Sequence, residues 1–111
     1  MAATRIEILY FAGCPNYLAT VELVKRVAAE TGQALDVRLV EVPDGEAAER
    51  KRFLGSPSVR VDGRDIEPGA QQRRDYVYAC RIYRGASGIS GQPDERWLRD
   101  ALGSDAAAPR R

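Results

Sequence analysis

The chain has 111 residues, 44% of them hydrophobic, with 17 basic and 16 acidic side chains and a formal net charge of +1. That size fits one domain, and the near balance of charge leaves no basic field of the kind that binds nucleic acid. There is no histidine, which removes Ser-His-Asp triads and His-ligated zinc, and two cysteines are too few for a four-cysteine zinc site or a disulfide scaffold.

Met1-Ala2-Ala3-Thr4-Arg5 leads straight into a strand pattern, without the charged and apolar regions of a secretory leader. No apolar run approaches the roughly 20 residues that cross a bilayer. The expectation is a cytoplasmic protein with no membrane or nucleic-acid partner. Residues 5–11 end in aromatics and read as a strand buried on both faces. A turn, Ala12-Gly13-Cys14, follows. Pro15 suits the first position of a helix, because its missing N–H is no loss there. That helix is predicted to run from Pro15 to about Thr31, with Tyr17, Val21, Val24 and Ala28 on its apolar face and Gly32 beyond its end. Cys14 is therefore expected beside unpaired backbone N–H groups at a helix start, which favour the reactive thiolate.

Leu35 to Val42 alternates as a second strand, broken by Pro43-Asp44-Gly45. A short helix from Glu46 to about Leu54 is predicted to stop at Gly55. After Ser56-Pro57, Ser58-Val59-Arg60-Val61 and Arg64-Asp65-Ile66-Glu67 flank Asp62-Gly63, a strong hairpin signal. A crossover helix makes the first two strands parallel, so the sheet is mixed and four-stranded, with helices on its faces. From Gly69 to Gln92 runs a long connector, and loops of that length are uncommon in compact domains unless functional. It carries Cys80 in an aromatic, β-branched stretch, Tyr76 to Arg84, whose second half reads as extended. Flanked at period two by Tyr78 and Ile82, Cys80 has core placement as its plain alternative. Gly85 to Pro93 reads as a glycine-rich loop or lid and lacks the lysine and Ser/Thr of a phosphate-binding loop. Asp94 is a good N-cap for a last helix over Glu95–Leu102, and Gly103 onward reads as a tail. The division is a domain over 1–103 and a flexible C-terminal tail over 104–111.

Strand, Gly-Cys-Pro, helix, then strand, helix, Gly-Ser-Pro and a Val-x-Val-Asp-Gly hairpin resembles the thioredoxin superfamily, most of all its glutaredoxin branch, over residues 5 to about 67. The resemblance implies a thioredoxin-like α/β fold. It also implies a cis Ser56–Pro57 bond after the second helix, beside Cys14. Pro15, Tyr17, Ser56 and Pro57 would shape the pocket, and no cofactor is implied. The family's second motif cysteine is replaced by Tyr17, so Cys14 works alone or with Cys80, on a small-molecule or protein thiol or disulfide. The Gly-Cys-Pro-Asn opening and the late Cys-Arg-x-Tyr also resemble, more weakly, the organomercurial (alkylmercury) lyases. That likeness implies Cys14 and Cys80 as ligands of a thiophilic metal; the family aspartate three residues after the first cysteine is Tyr17 here. Asp75, on the connector, reads as a solvated loop carboxylate, or as a proton handler near Cys80 if the connector folds over the site. Three functions stay open: thiol-disulfide exchange through Cys14 with or without Cys80, soft-metal or organomercurial chemistry by both, and a non-catalytic binding module. The cation runs Arg50-Lys51-Arg52 and Arg73-Arg74 read as solvated faces, or as partners for a thiolate or the carboxylates of glutathione.

Overall fold

The structure is a computed structural model that describes residues 3–86 and 88–110, with residues 104–110 described as backbone alone. Its main sheet has four strands, β1 (Thr4–Tyr10), β2 (Leu35–Glu41), β3 (Ser58–Val61) and β4 (Arg64–Asp65), in the order β2-β1-β3-β4. β1 runs parallel to β2 and antiparallel to β3, which turns antiparallel into β4. The mixed α/β sheet with flanking helices is as expected. At the hairpin, Asp62 and Gly63 both take positive φ, 51° and 86°, the pairing that a two-residue turn between twisted strands requires.

The pleat divides the core. On one face Ile6 and Ile8 of β1 and Val59 and Val61 of β3 meet α1 (Tyr17–Thr31) through Val21, Val24 and Val27, and α3 (Glu95–Arg110) through Leu98 and Leu102. On the other, Leu9 packs with Val42, Phe53 and the two alanines of a short α2 (Gly45–Arg50). This second layer covers only part of its face. On the first face, at the edge strand β2, Val37 and Leu39 pair in register with Ile6 and Ile8 but stay exposed.

Several boundaries differ from the sequence reading. α1 begins at Tyr17 rather than Pro15: Pro15 lies in the turn, and Asn16 takes the cap position. α2 stops early because Arg52, at φ 55°, adopts the left-handed cap, with Arg52 N–H donating to the Glu49 carbonyl at 3.2 Å and Phe53 N–H to that of Ala48 at 2.8 Å. This is the Schellman pattern that usually takes glycine. Gly55 has a different duty, described below. The connector holds a 3-10 turn (Ala70–Gln72), and part of the glycine-rich loop is a small hairpin, β5 (Tyr83–Gly85) with β6 (Gly88–Ser90).

Asp94 caps α3 as expected, its carboxylate accepting from Arg96 N–H and Ala86 N–H at 2.8 Å each. α3 continues past Leu102 to Arg110, through Ala106-Ala107-Ala108, the best helix-forming residue type. That backbone occupies the stretch read as a tail; the side chains there lie outside the described residues. Among the described residues no helix is long and apolar enough to cross a membrane.

Candidate functional site around Cys14 and Cys80

Cys14 closes the turn after β1, its N–H donating to the Phe11 carbonyl at 3.1 Å. It is buried, at 4% exposure, and is a free thiol. The turn is built from aromatics on either side: Tyr10 and Tyr17 stack with centroids 4.3 Å apart, and Phe11 packs on Tyr78 of the connector at 5.1 Å. Tyr17 thus serves the site as a stacking wall. The chain after β6 also arrives here, since a side chain at Gly91 would run into Asn16, its Cβ only 2.7 Å from that residue's Cγ.

Ser56 joins the two cysteine-bearing segments. Its hydroxyl accepts the Phe11 N–H at 3.3 Å, holding the Cys14 turn. Its backbone pairs with the connector in a parallel bridge to Cys80: Ser56 N–H donates to the Ala79 carbonyl and Arg81 N–H to that of Ser56, both at 2.9 Å. Gly55 permits this approach. At φ 118° its missing Cβ would lie 2.9 Å from the Arg81 Cβ and 3.2 Å from the Ala79 oxygen, so the connector lies where only glycine leaves room. The Ser56–Pro57 peptide bond is cis, and the Pro57 carbonyl accepts the buried Tyr83 hydroxyl at 2.6 Å.

Cys80 is exposed, so the core placement read from its period-two neighbours is corrected. The alternation is real and its phase is the opposite one. Tyr78, Cys80 and Ile82 face outward, with Ile82 at 67%, while Arg81 and Tyr83 turn in, at 3% and 1%. Arg81 inverts the pattern because both terminal nitrogens of its guanidinium find partners beneath the connector, while its buried Nε has none among the described residues. It forks onto Asp65 at 2.7 and 3.1 Å, reaches Glu67 at 2.6 Å and Ser58 Oγ at 2.7 Å, and lies 4.4 Å from the centre of the Tyr83 ring. Burial opposes its charge, but the Tyr83 ring and the two carboxylates outweigh that, and its pKa is raised. Burial, in turn, pushes the Tyr83 hydroxyl above the ordinary phenol range. Arg81 escaped the sequence reading because an arginine beside a cysteine looks solvent-directed; the acids that draw it inward lie 16 and 14 residues away.

Asp75 takes a solvated position. It is 65% exposed and forked with Arg73 at 2.6 and 3.0 Å, and the Arg73 hydrogen bonds hold its carboxyl below the usual range. A group kept charged in that way is a poor proton donor at neutral pH. Among the described residues no cluster of three or more His, Cys, Asp or Glu side chains could hold a metal; what the site offers a metal is two sulfurs. No protein-family model matches the sequence, and no curated protein is similar to it.

Proposed function

We propose that this chain is a thioredoxin-like thiol protein in which Cys14 and Cys80 form a redox pair. The observation that carries the reading is Ser56, whose hydroxyl holds the Cys14 turn while its backbone holds Cys80. The mixed sheet, the cysteine two residues before the α1 cap and the proline segment across from it support the fold side of the proposal.

Exposure assigns the order of events, and it reverses the one the resemblance implies. Cys80 is the thiol a partner meets, and Cys14 is sheltered. The Cys80 thiolate attacks one sulfur of a substrate disulfide; the S–S bond breaks, a mixed disulfide forms, and the first substrate sulfur leaves as a thiolate that takes a proton from water. The Cys14 thiolate then attacks the Cys80 sulfur, releasing the second substrate thiol and leaving a Cys14–Cys80 disulfide. Two electrons pass to the substrate, and an external thiol restores the pair by the reverse exchange. The substrate is a small-molecule or protein disulfide.

The test is oxidation with diamide followed by peptide mapping, with iodoacetamide labelling of the reduced protein. The expected results are an intramolecular Cys14–Cys80 peptide and labelling of Cys80 before Cys14. A protein that keeps two separate thiols under diamide has no Cys14–Cys80 redox pair, and this reading fails.

A second reading is supported by the same pair. Two thiols with no third ligand among the described residues suit a two-coordinate soft ion such as Hg²⁺ better than tetrahedral zinc. Carbon–mercury cleavage also needs a proton donor, and Asp75 is tied to Arg73. Capture without cleavage is therefore the form this reading takes. Stoichiometric Hg²⁺ uptake that is lost in Cys80→Ser would support it; uptake unchanged in that variant would remove it.

A further inference from the structure

The half of the sheet that α2 leaves uncovered carries a second site, on the face away from α1 and α3. A cleft of about 440 Å³ opens there, walled by the end of α2 on one side and by the 3-10 turn and Tyr76 on the other, and neither cysteine lines it. That volume lies within the range of small-molecule sites, about 300–1,000 Å³. Its floor is apolar, from Leu9 and Val40, and its rim is cationic.

The cations of the rim are not matched by its acids. Of the two carboxylates lining the cleft, Asp65 is forked by Arg81, and Glu7 lies 3.9 Å from Arg5 outside the rim. Arg73 is already shared between Glu67 and Asp75. Arg50, Lys51, Arg52 and Arg60 make no ion pair among the described residues. Arg60 is the most telling of them. One terminal nitrogen donates to the Lys51 and Arg52 carbonyls at 2.5 and 3.0 Å, which pins the guanidinium to the end of α2. Its Nε and other terminal nitrogen have no protein partner among the described residues. Burial pulls its pKa down, only partly offset by Asp65 and Glu7, so this cation is desolvated without a matching anion. Arg52 is held at φ 55° where glycine fits best; a side chain kept in a strained backbone position is the kind of outlier that points to use.

We propose that this cleft binds a small ligand carrying two linked phosphate groups, a diphosphate ester, gripped by Arg50, Lys51, Arg52 and Arg60. Planar guanidinium forks match phosphate oxygens two at a time, and four cations converging on one cleft exceed what a single phosphate needs. The apolar floor and the Tyr76 side leave room for the organic part of the ester. The site is independent of the thiol pair.

The probe is inorganic pyrophosphate, titrated by calorimetry and by amide shifts at about 0.15 M salt, where diffuse attraction is screened beyond about 8 Å. Saturable binding is expected, with shifts at Gly63, Ala70 and Tyr76, and tighter than that of orthophosphate. Loss of one charge-assisted contact should weaken it about tenfold. Arg60→Gln removes both the grip and the pin on α2, so Arg52→Gly serves as the variant that keeps the fold while removing a cation. Cys80→Ser should bind as the parent does. The proposal is overturned if pyrophosphate does not saturate, if it binds no tighter than orthophosphate, or if Arg52→Gly binds it unchanged.

Discussion

The Tyr83 hydroxyl donates to the Pro57 carbonyl at 2.6 Å, inside the protein and across 26 residues of chain. This bond ties the far end of the connector to the segment that follows Ser56. The connector is therefore anchored on both sides of Cys80: Val77 N–H donates to the Phe53 carbonyl at 2.9 Å before it, and Arg81 and Tyr83 are buried after it. Tyr83→Phe would leave the Pro57 carbonyl buried and unpaired. We expect a loss of about 1–3 kcal/mol in urea denaturation, and faster alkylation of Cys80 because its segment lifts more often. An unchanged midpoint would show that the bond contributes nothing net.

Arg81 is the stronger anchor. Replacing it with Met leaves Asp65, 10% exposed, as a charge without a partner, and Glu67, 19% exposed, with Arg73 alone. Breaking one side of a buried pair costs about 3–5 kcal/mol; the partial exposure of the acids places the expected loss at the lower end. Arg81→Met with Asp65→Asn should recover part of it, and a double-mutant cycle measures the coupling.

At Gly55 the expected effect is one of backbone and contact together. Gly55→Ala must hold alanine at φ 118° and move the Arg81 Cβ, which would otherwise lie 2.9 Å away. We expect at least about 1–3 kcal/mol of destabilisation, with loss of hydrogen-exchange protection at the Arg81 amide. Protection equal to the parent's would mean that the bridge to Ser56 does not need that close approach.

Arg52→Gly should act the other way. Relief of the left-handed strain outweighs the entropy glycine adds to the unfolded chain, for a net gain of about 0.5–1 kcal/mol. A higher urea midpoint together with weaker pyrophosphate binding would show stability given up to keep a cation in place.

Acid sensitivity is expected at the contact between α1 and α3. Glu95 accepts from Arg26 and Arg99, and those hydrogen bonds hold its pKa down at about 2. A carboxyl whose folded pKa is depressed contributes stability that is fully present above its unfolded value, near 4.5, and lost as pH falls toward about 2. Arg99 also pairs with Glu30, joining the two helices a second time. The Glu95 carboxylate is solvated, so the contribution is small. Glu95→Gln should flatten the stability profile between pH 5 and 2 relative to the parent, roughly in that carboxylate window. Parallel profiles would show that the pair is without effect.

The sheet and its hairpin were legible in the sequence because local chemistry decides them: Asp62-Gly63 demands its turn, and Asp94 its cap. The start of α1 was misplaced by two residues, since Pro15 is equally at home in the turn before Asn16. The end of α2 was misplaced because a left-handed cap is expected at glycine, and Gly55 stood nearby with another duty. The placement of Cys80 turned on phase. Nothing in Tyr78–Tyr83 itself says which alternate set faces inward; that is decided by Asp65 and Glu67 on the hairpin, and by the space left at Gly55.

This phase has a consequence for how the chain can vary. From the bridge at Cys80 to Tyr83 the side chains alternate between surface and interior, and a shift of one residue exchanges the two sets. One residue gained or lost between the Val77 anchor and Ser56's bridge would carry Cys80 under the surface and bring the Arg81 guanidinium out into water, stranding Asp65 and leaving Glu67 to Arg73 alone. A change of two residues restores the original parity. Insertions and deletions in this connector should therefore be tolerated in pairs, and the choice between a thiol and an ion pair at the surface is a single binary setting of chain length.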